Sequence, residues 1–153
     1  MSKKELLKQL GEIHQQYASE KLNCAERTFL AIHGILKTDI PAHVVSILTG
    51  FGGGVGGSHQ SLCGAVTGSI AALNLTWGRR KPAYESSKQA YEVAQDFLSQ
   101  FRSRFGTEIC GELIGDLLHV NKFNSDERKA RCYQYCDNAI KICVELLKKH
   151  SVI

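Results

Sequence analysis

Apolar positions along the chain recur at steps of three and four, the spacing of one face of an α-helix. Leu6, Leu7, Leu10, Ile13, His14 and Tyr17 make a first stripe; Cys24, Ala25, Thr28, Phe29, Ile32 and Leu36 make a second. The pattern breaks near Leu22 and Asn23. Asn23 reads as an N-cap, with Glu26 three residues on completing a capping box. Residues 3–36 are therefore predicted as two helices, with Gly34 weakening the end of the second. Cys24 falls in the first turn of that second helix, where the helix dipole favours a thiolate. Asp39-Ile40-Pro41 marks a turn, and Pro41 suits the first turn of another helix. His43, Val44, Ile47 and Leu48 continue that helix, which is expected to stop by Gly50.

The next stretch is G-F-G-G-G-V-G-G, with six glycines in Gly50–Gly57. Residues without a Cβ let the backbone bend sharply or approach another group closely. Ser58 or Ser61 is expected to cap the helix that follows, which carries Leu62, Cys63, Val66, Ile70 and Leu73. Gly64, Ala65, Gly68, Ala71 and Ala72 leave one of its faces almost bare, so that another backbone can come close. A strong helix is predicted over 84–105, with Tyr91, Ala94, Phe97, Leu98 and Phe101 on its apolar stripe and Gly106 ending it. A short element holds Cys110, residues 116–125 read as loop or weak helix, and Ser125 starts a last helix over 126–149. Cys132, Cys136, Ala139, Ile140, Cys143, Leu146 and Leu147 share one side of it. No segment alternates with period two for long. The expectation is an all-α, single-domain bundle of about five to seven helices, with the glycine-rich loop ahead of a central helix.

Composition changes this picture little. The 153 residues are 43% hydrophobic and 22% charged with a net charge of +4, ordinary values for a globular chain. The basic residues form no stripe, so nucleic acid is not an expected partner. The N-terminus lacks the apolar region of a secretory signal, and no run approaches the length of a membrane span, so a cytoplasmic chain without membrane insertion is expected.

Cysteine usage does change it. Cys24, Cys63, Cys110, Cys132, Cys136 and Cys143 include no C-x-x-C pair, so any shared site is assembled from distant segments. Without an export signal, metal-binding and redox roles outweigh structural disulfides. The glycine loop could be an anion nest ahead of a helix. A phosphate loop, however, needs a Gly-Lys-Ser/Thr step, and no lysine lies between Lys37 and Lys81.

Cys24 in N-C-A-E, the loop G-F-G-G-G, C-G-A-V-T-G at Cys63–Gly68, Cys110 and Cys132 together resemble a family of small redox-active proteins. That family is named for its C…GCAxxG…C…C pattern, and the resemblance runs from about Leu22 to Leu147. Here Leu62-Cys63-Gly64-Ala65 replaces the strict Gly-Cys-Ala order. The resemblance implies that Cys24, Cys63, Cys110 and Cys132 act together, without implying a defined reaction.

Four thiolates from separate segments could ligate an iron–sulfur cluster or another metal for electron transfer with a redox protein partner. Amides of Gly52, Gly53, Gly54, Gly56, Gly57 and Gly64 would then face the sulfurs and tune them. Thiol–disulfide exchange is a second reading, with Cys63 attacking and Cys24, Cys110 or Cys132 resolving. A third is a helical interaction module, in which the small-residue face of 64–72 packs on a second copy in a homodimer and the thiols are inert. Cys136 and Cys143 lie on the apolar stripe and read as core residues. His59 is expected to be a solvated loop histidine rather than a proton acceptor or extra ligand.

Overall fold

The computed structural model describes residues 2–19, 21–83, 87–119 and 121–153, excluding the side chains of residues 14 and 17–19. The places given to His14 and Tyr17 on the first stripe, and to residues 84–86 at a helix start, fall outside that description. The chain is all-α, with no named strand among the described residues. Six α-helices follow in order: α1 (Lys3–Ser19), α2 (Cys24–Ile35), α3 (Gly64–Trp77), α4 (Lys88–Phe105), α5 (Cys110–Ile114) and α6 (Asp126–Lys149). Among the described residues two 3₁₀ segments, Ala42–Phe51 and Gly115–Leu117, lie between them. α3 is the central helix and packs on α2, α4 and α6. The core between them is built from Phe29, Ile32, Val66, Phe97, Phe101, Ile140 and Leu147, each at most 2% exposed.

Local chemistry sets most of the boundaries. Asn23 Oδ1 accepts from the Glu26 amide at 3.0 Å, while Glu26 Oε2 accepts from the Asn23 amide at 2.9 Å, so α2 opens on the expected capping box. The same pair reaches across the fold. Asn23 Nδ2 donates to the Thr49 carbonyl, and the Thr49 hydroxyl donates to Glu26 Oε1. This ties the end of the first 3₁₀ segment to the helix start that carries Cys24. Asn23→Ala is therefore expected to lose about 1–2 kcal/mol of stability, read from urea denaturation, and to loosen the loop after Thr49. Gly106, at φ 79, closes α4 with its amide on the Arg102 carbonyl. The Ser125 side chain accepts from the Arg128 amide and starts α6.

Several expectations are corrected. The element after Pro41 is a 3₁₀ segment that runs on to Phe51, one residue beyond Gly50. Its Val-Val and Thr are β-branched and weaken α-helix formation. Ile47 is 70% exposed, so only Leu48 of that stripe is buried in the core. Neither Ser58 nor Ser61 caps α3: Cys63 is the N-cap residue and the helix begins at Gly64. In α4, Tyr91 is exposed, and Ala90 and Val93 join Phe97 and Phe101 on the buried face. The small-residue face of α3 is occupied within the chain. A Cβ on Gly68 would lie 2.3 Å from the Ala25 carbonyl oxygen and one on Gly64 2.1 Å from Cys24 Sγ, so α2 already covers the face expected to meet a second copy.

No helix among the described residues is long and apolar enough to cross a membrane.

Candidate functional site

Three of the four cysteines singled out in the sequence sit at helix starts. Cys24 is the first residue of α2, Cys63 the N-cap residue of α3 and Cys110 the first residue of α5. Cys132 lies in the second turn of α6. Cys63 and Cys110 are placed by one antiparallel bridge, between Leu62 and Ile109. The Cys63 amide donates to the Glu108 carbonyl at 2.8 Å and the Cys110 amide to the Ser61 carbonyl at 2.9 Å. The Gly111 amide extends the pairing to the His59 carbonyl at 2.7 Å. This short ladder, rather than the glycine loop, presents Cys63.

The glycine loop serves the other cysteines. Gly53, Gly54, Val55, Gly56 and Gly57 all have φ between 59° and 70°, which makes a left-handed turn that only glycine adopts without penalty. Within it the Gly56 amide donates to the Gly50 carbonyl, the Gly57 amide to Gly52 and the His59 amide to Gly53. The amides of Gly56 and Gly57 are thus engaged inside the loop. Gly52 and Gly54 contribute through what they lack. A Cβ on Gly52 would lie 2.6 Å from Asn23 Cγ, and one on Gly54 2.7 Å from Cys110 Cβ. Gly64 does the same for Cys24. Three glycines thus let the chain close onto segments that carry cysteine.

All four cysteines line one cavity of about 520 Å³. Cys136 lines it too, one helical turn after Cys132, while sitting in the core at 1% exposure as its place on the apolar stripe predicts. Cys143 does not; it is fully buried in the core beside Ser69. A second cavity of about 500 Å³, near Ile35, Arg80 and Ile153, holds no cysteine. His59 is not simply solvated. Its Nδ1 lies 3.4 Å from Cys110 Sγ, and its ring packs edge-on against Phe123. Periodicity could not have found it, because its position depends on the pairing of 59–63 with 108–111.

Among the described residues the charged side chains of the cavity wall are all cationic: Lys21, Arg27, Arg128 and Lys129. Arg27 is 3% exposed and stacks 3.9 Å from the centre of the Tyr133 ring. Arg128 packs over Phe123 and brings Nη1 to 3.9 Å from Cys132 Sγ. Burial, then the neighbouring charges of Cys24, Cys136 and Cys110, push the Cys63 thiol well up, opposed by the Ala65 backbone amide. Burial, with Cys24 and Cys132 beside it, raises Cys110 to about 11, against the pull of Arg128. Cys132 is raised by burial and lowered by Arg128; Cys136 is raised by burial and then by Cys24. Charge on Cys24 is felt at each of the other four cavity thiols. Cys24 is the hub.

All six cysteines are free. Cys24 and Cys132 are half-buried, whereas Cys136 and Cys143 are 1% and 0% exposed. In reduced protein, iodoacetamide is therefore expected to alkylate Cys24 and Cys132 first and Cys136 and Cys143 only on unfolding. Differential alkylation followed by peptide mass spectrometry reads that order.

Among the described residues, no three His, Cys, Asp or Glu side chains are grouped so as to hold a metal ion together. The donor set that lines the cavity is rich in sulfur.

A family model described as "Putative redox-active protein (C_GCAxxG_C_C)" matches residues 22–146, a span that includes Cys24, Cys63, Cys110 and Cys132. A protein of Archaeoglobus fulgidus described as "Uncharacterized protein" is 30% identical over 137 residues, covering 85% of this chain and 87% of that protein. No solved structure matches the chain. With the match spanning α2 to α5 and all of α6 but its last three residues, the chain belongs to the C_GCAxxG_C_C family.

Proposed function

We propose that the cysteine-lined cavity is an electron-transfer site in which Cys24, Cys63, Cys110 and Cys132 hold an iron–sulfur cluster. The observation that carries this reading is the convergence of four thiols, from four separate segments, on one cavity of about 520 Å³. Family membership supports the redox role, and the geometry bears on the occupant. A zinc ion draws its thiolates to about 2.3 Å from one point, whereas a cluster spreads its ligand sulfurs around its own iron and sulfide. Thiols that surround a space without gathering on one ion suit the second case.

Charge favours the same occupant. Burial and neighbouring charge raise Cys63, Cys110 and Cys132 and favour their protonated forms, so a set of four thiolates needs a cationic group among them, and its binding releases protons. When bound, the cluster supplies one-electron chemistry. The chain's own residues do the rest. Leu113, Ile114 and the buried thiols limit water in the cavity. Arg128 places positive charge at Cys132, and local charge of this kind is one lever on a cluster's potential. The His59 ring fixes the neighbourhood of Cys110. A redox protein partner would deliver or take the electron at the cation-lined wall.

Anaerobic purification, iron and sulfide analysis and an absorption spectrum test the proposal. Iron and acid-labile sulfide in equal amounts, with sulfide-to-iron charge-transfer bands, are expected, and Cys24→Ser or Cys63→Ser should lose most of both. Colourless protein that stays iron-free after anaerobic reconstitution with ferrous iron and sulfide would sink it.

A further inference from the structure

Of the two thiols that neither the four-cysteine pattern nor the proposed ligand set uses, Cys136 lies inside the site and Cys143 does not. Cys136 sits on α6 where that helix packs against the start of α2. Its Sγ lies 3.9 Å from the carbonyl oxygen of Cys24, and the Thr28 side chain, one turn into α2, lies beside the same sulfur. Cys136 shares the cavity with Cys24, whereas Cys143 on the same helix face is out of reach in the core. Exposure divides the pair: Cys24 is half-buried, and Cys136 is 1% exposed. A small reagent entering the cavity meets Cys24 first and finds Cys136 behind it.

We propose that Cys136 is the resolving thiol of Cys24: when hydrogen peroxide oxidises Cys24 in the iron-free cavity, Cys136 closes on it as a reversible disulfide. In the first step the Cys24 thiolate attacks a peroxide oxygen. An S–O bond forms, the O–O bond breaks, and the departing hydroxide leaves as water after taking up a proton. In the second, the Cys136 sulfur attacks the sulfenic sulfur of Cys24. The S–S bond forms, the S–O bond breaks, and the Cys136 proton leaves with the hydroxyl as a second water. Two electrons pass from the thiol pair to one peroxide. A dithiol reductant reverses the bridge by exchange. The bridge protects Cys24 from the irreversible sulfinic and sulfonic acids. It concerns the cavity before a cluster is in place, so it stands apart from the cluster reading.

The test uses full-length protein, reduced and freed of iron by a chelator, then given one equivalent of hydrogen peroxide. Two free thiols should disappear, peptide mapping should join Cys24 to Cys136, and dithiothreitol should restore both. Cys136→Ala should form at least ten-fold less of any bridge at Cys24 and accumulate a sulfenic acid there that dimedone traps. Cys143→Ala, the matched change deeper on the same helix face, should oxidise like the unaltered chain. A bridge from Cys24 to Cys63, Cys110 or Cys132 overturns the proposal, as does a dimedone adduct on the unaltered chain with no bridge. The unaltered-chain mapping decides even if a variant fails to fold. Iron reconstitution of Cys136→Ala, run in parallel, should match the unaltered chain; loss of iron there alone would make Cys136 a ligand and overturn the resolving role. Failure of the unaltered chain to take up iron would instead remove the cluster reading and leave the disulfide result standing.

Discussion

Gly68→Ala is expected to destabilise the protein by about 2 kcal/mol, while Gly34→Ala stabilises it by up to about 1 kcal/mol. Both glycines lie inside helices, where alanine is favoured over glycine by about 1 kcal/mol. They differ in what a Cβ would meet. At Gly34 nothing lies within 4 Å, so only the propensity gain remains. At Gly68 the Cβ would lie 2.3 Å from the Ala25 carbonyl oxygen and 3.0 Å from its carbonyl carbon and Cα. Those are backbone atoms of α2 and cannot swing aside like a side-chain end. Over-packing of this kind costs about 3 kcal/mol, which outweighs the propensity gain. Gly64→Ala carries the same conflict into the site, because its Cβ would lie 2.1 Å from Cys24 Sγ and 2.8 Å from the Ala25 amide nitrogen. Urea denaturation of the three variants gives the signs. A stabilised Gly68→Ala would show that α2 and α3 are not held at backbone contact.

The stripe of small residues on α3 was therefore legible as a close-approach face, but not its partner. Glycine and alanine at helical spacing say that some backbone comes near; only the fold shows that it belongs to α2, at Cys24 and Ala25. The capping box at Asn23 and Glu26, the stop at Gly106 and the start at Ser125 were legible because each is settled within four residues. The 3₁₀ geometry of Ala42–Phe51 was not, since apolar steps of three and four fit it as well as an α-helix. The pairing of 59–63 with 108–111 left no trace either, because a single bridge needs no period-two alternation. It fixes Cys63 and Cys110 and brings His59 to Cys110.

The two extra cysteines of α6 mark where periodicity runs out. Cys136 and Cys143 are seven residues apart, so both fall on the same apolar stripe. One meets the N-terminal end of α2, where the packing leaves a cavity; the other meets Ser69 in the middle of α3, where it does not. The family pattern covers four cysteines and is silent on both. The distinction is tertiary.

Cys143 also gives the protein an alkaline weakness. Burial, opposed only in part by the Ser69 hydroxyl, pushes its thiol from the ordinary 9.0 up to about 12. In the unfolded chain the thiol ionises near its ordinary value, so between about pH 9 and 12 the unfolded state binds fewer protons than the folded one. Stability therefore falls as pH rises through that window, by about 1.4 kcal/mol per unit and about 4 kcal/mol in all from this residue. Below about pH 9 both states are protonated and the effect vanishes. Cys143→Ala removes the titrating group and leaves a small void that costs about 1 kcal/mol. The variant should be the less stable protein at pH 7 and the more stable one at high pH, with the two curves crossing near about pH 10. Cys63, Cys110, Cys132 and Cys136, raised as well, lower both proteins alike and do not move the crossing. Urea midpoints from pH 7 to 11 locate it. Parallel curves with no crossing would mean that Cys143 ionises inside the fold as readily as in the unfolded chain, against its complete burial between α6 and α3.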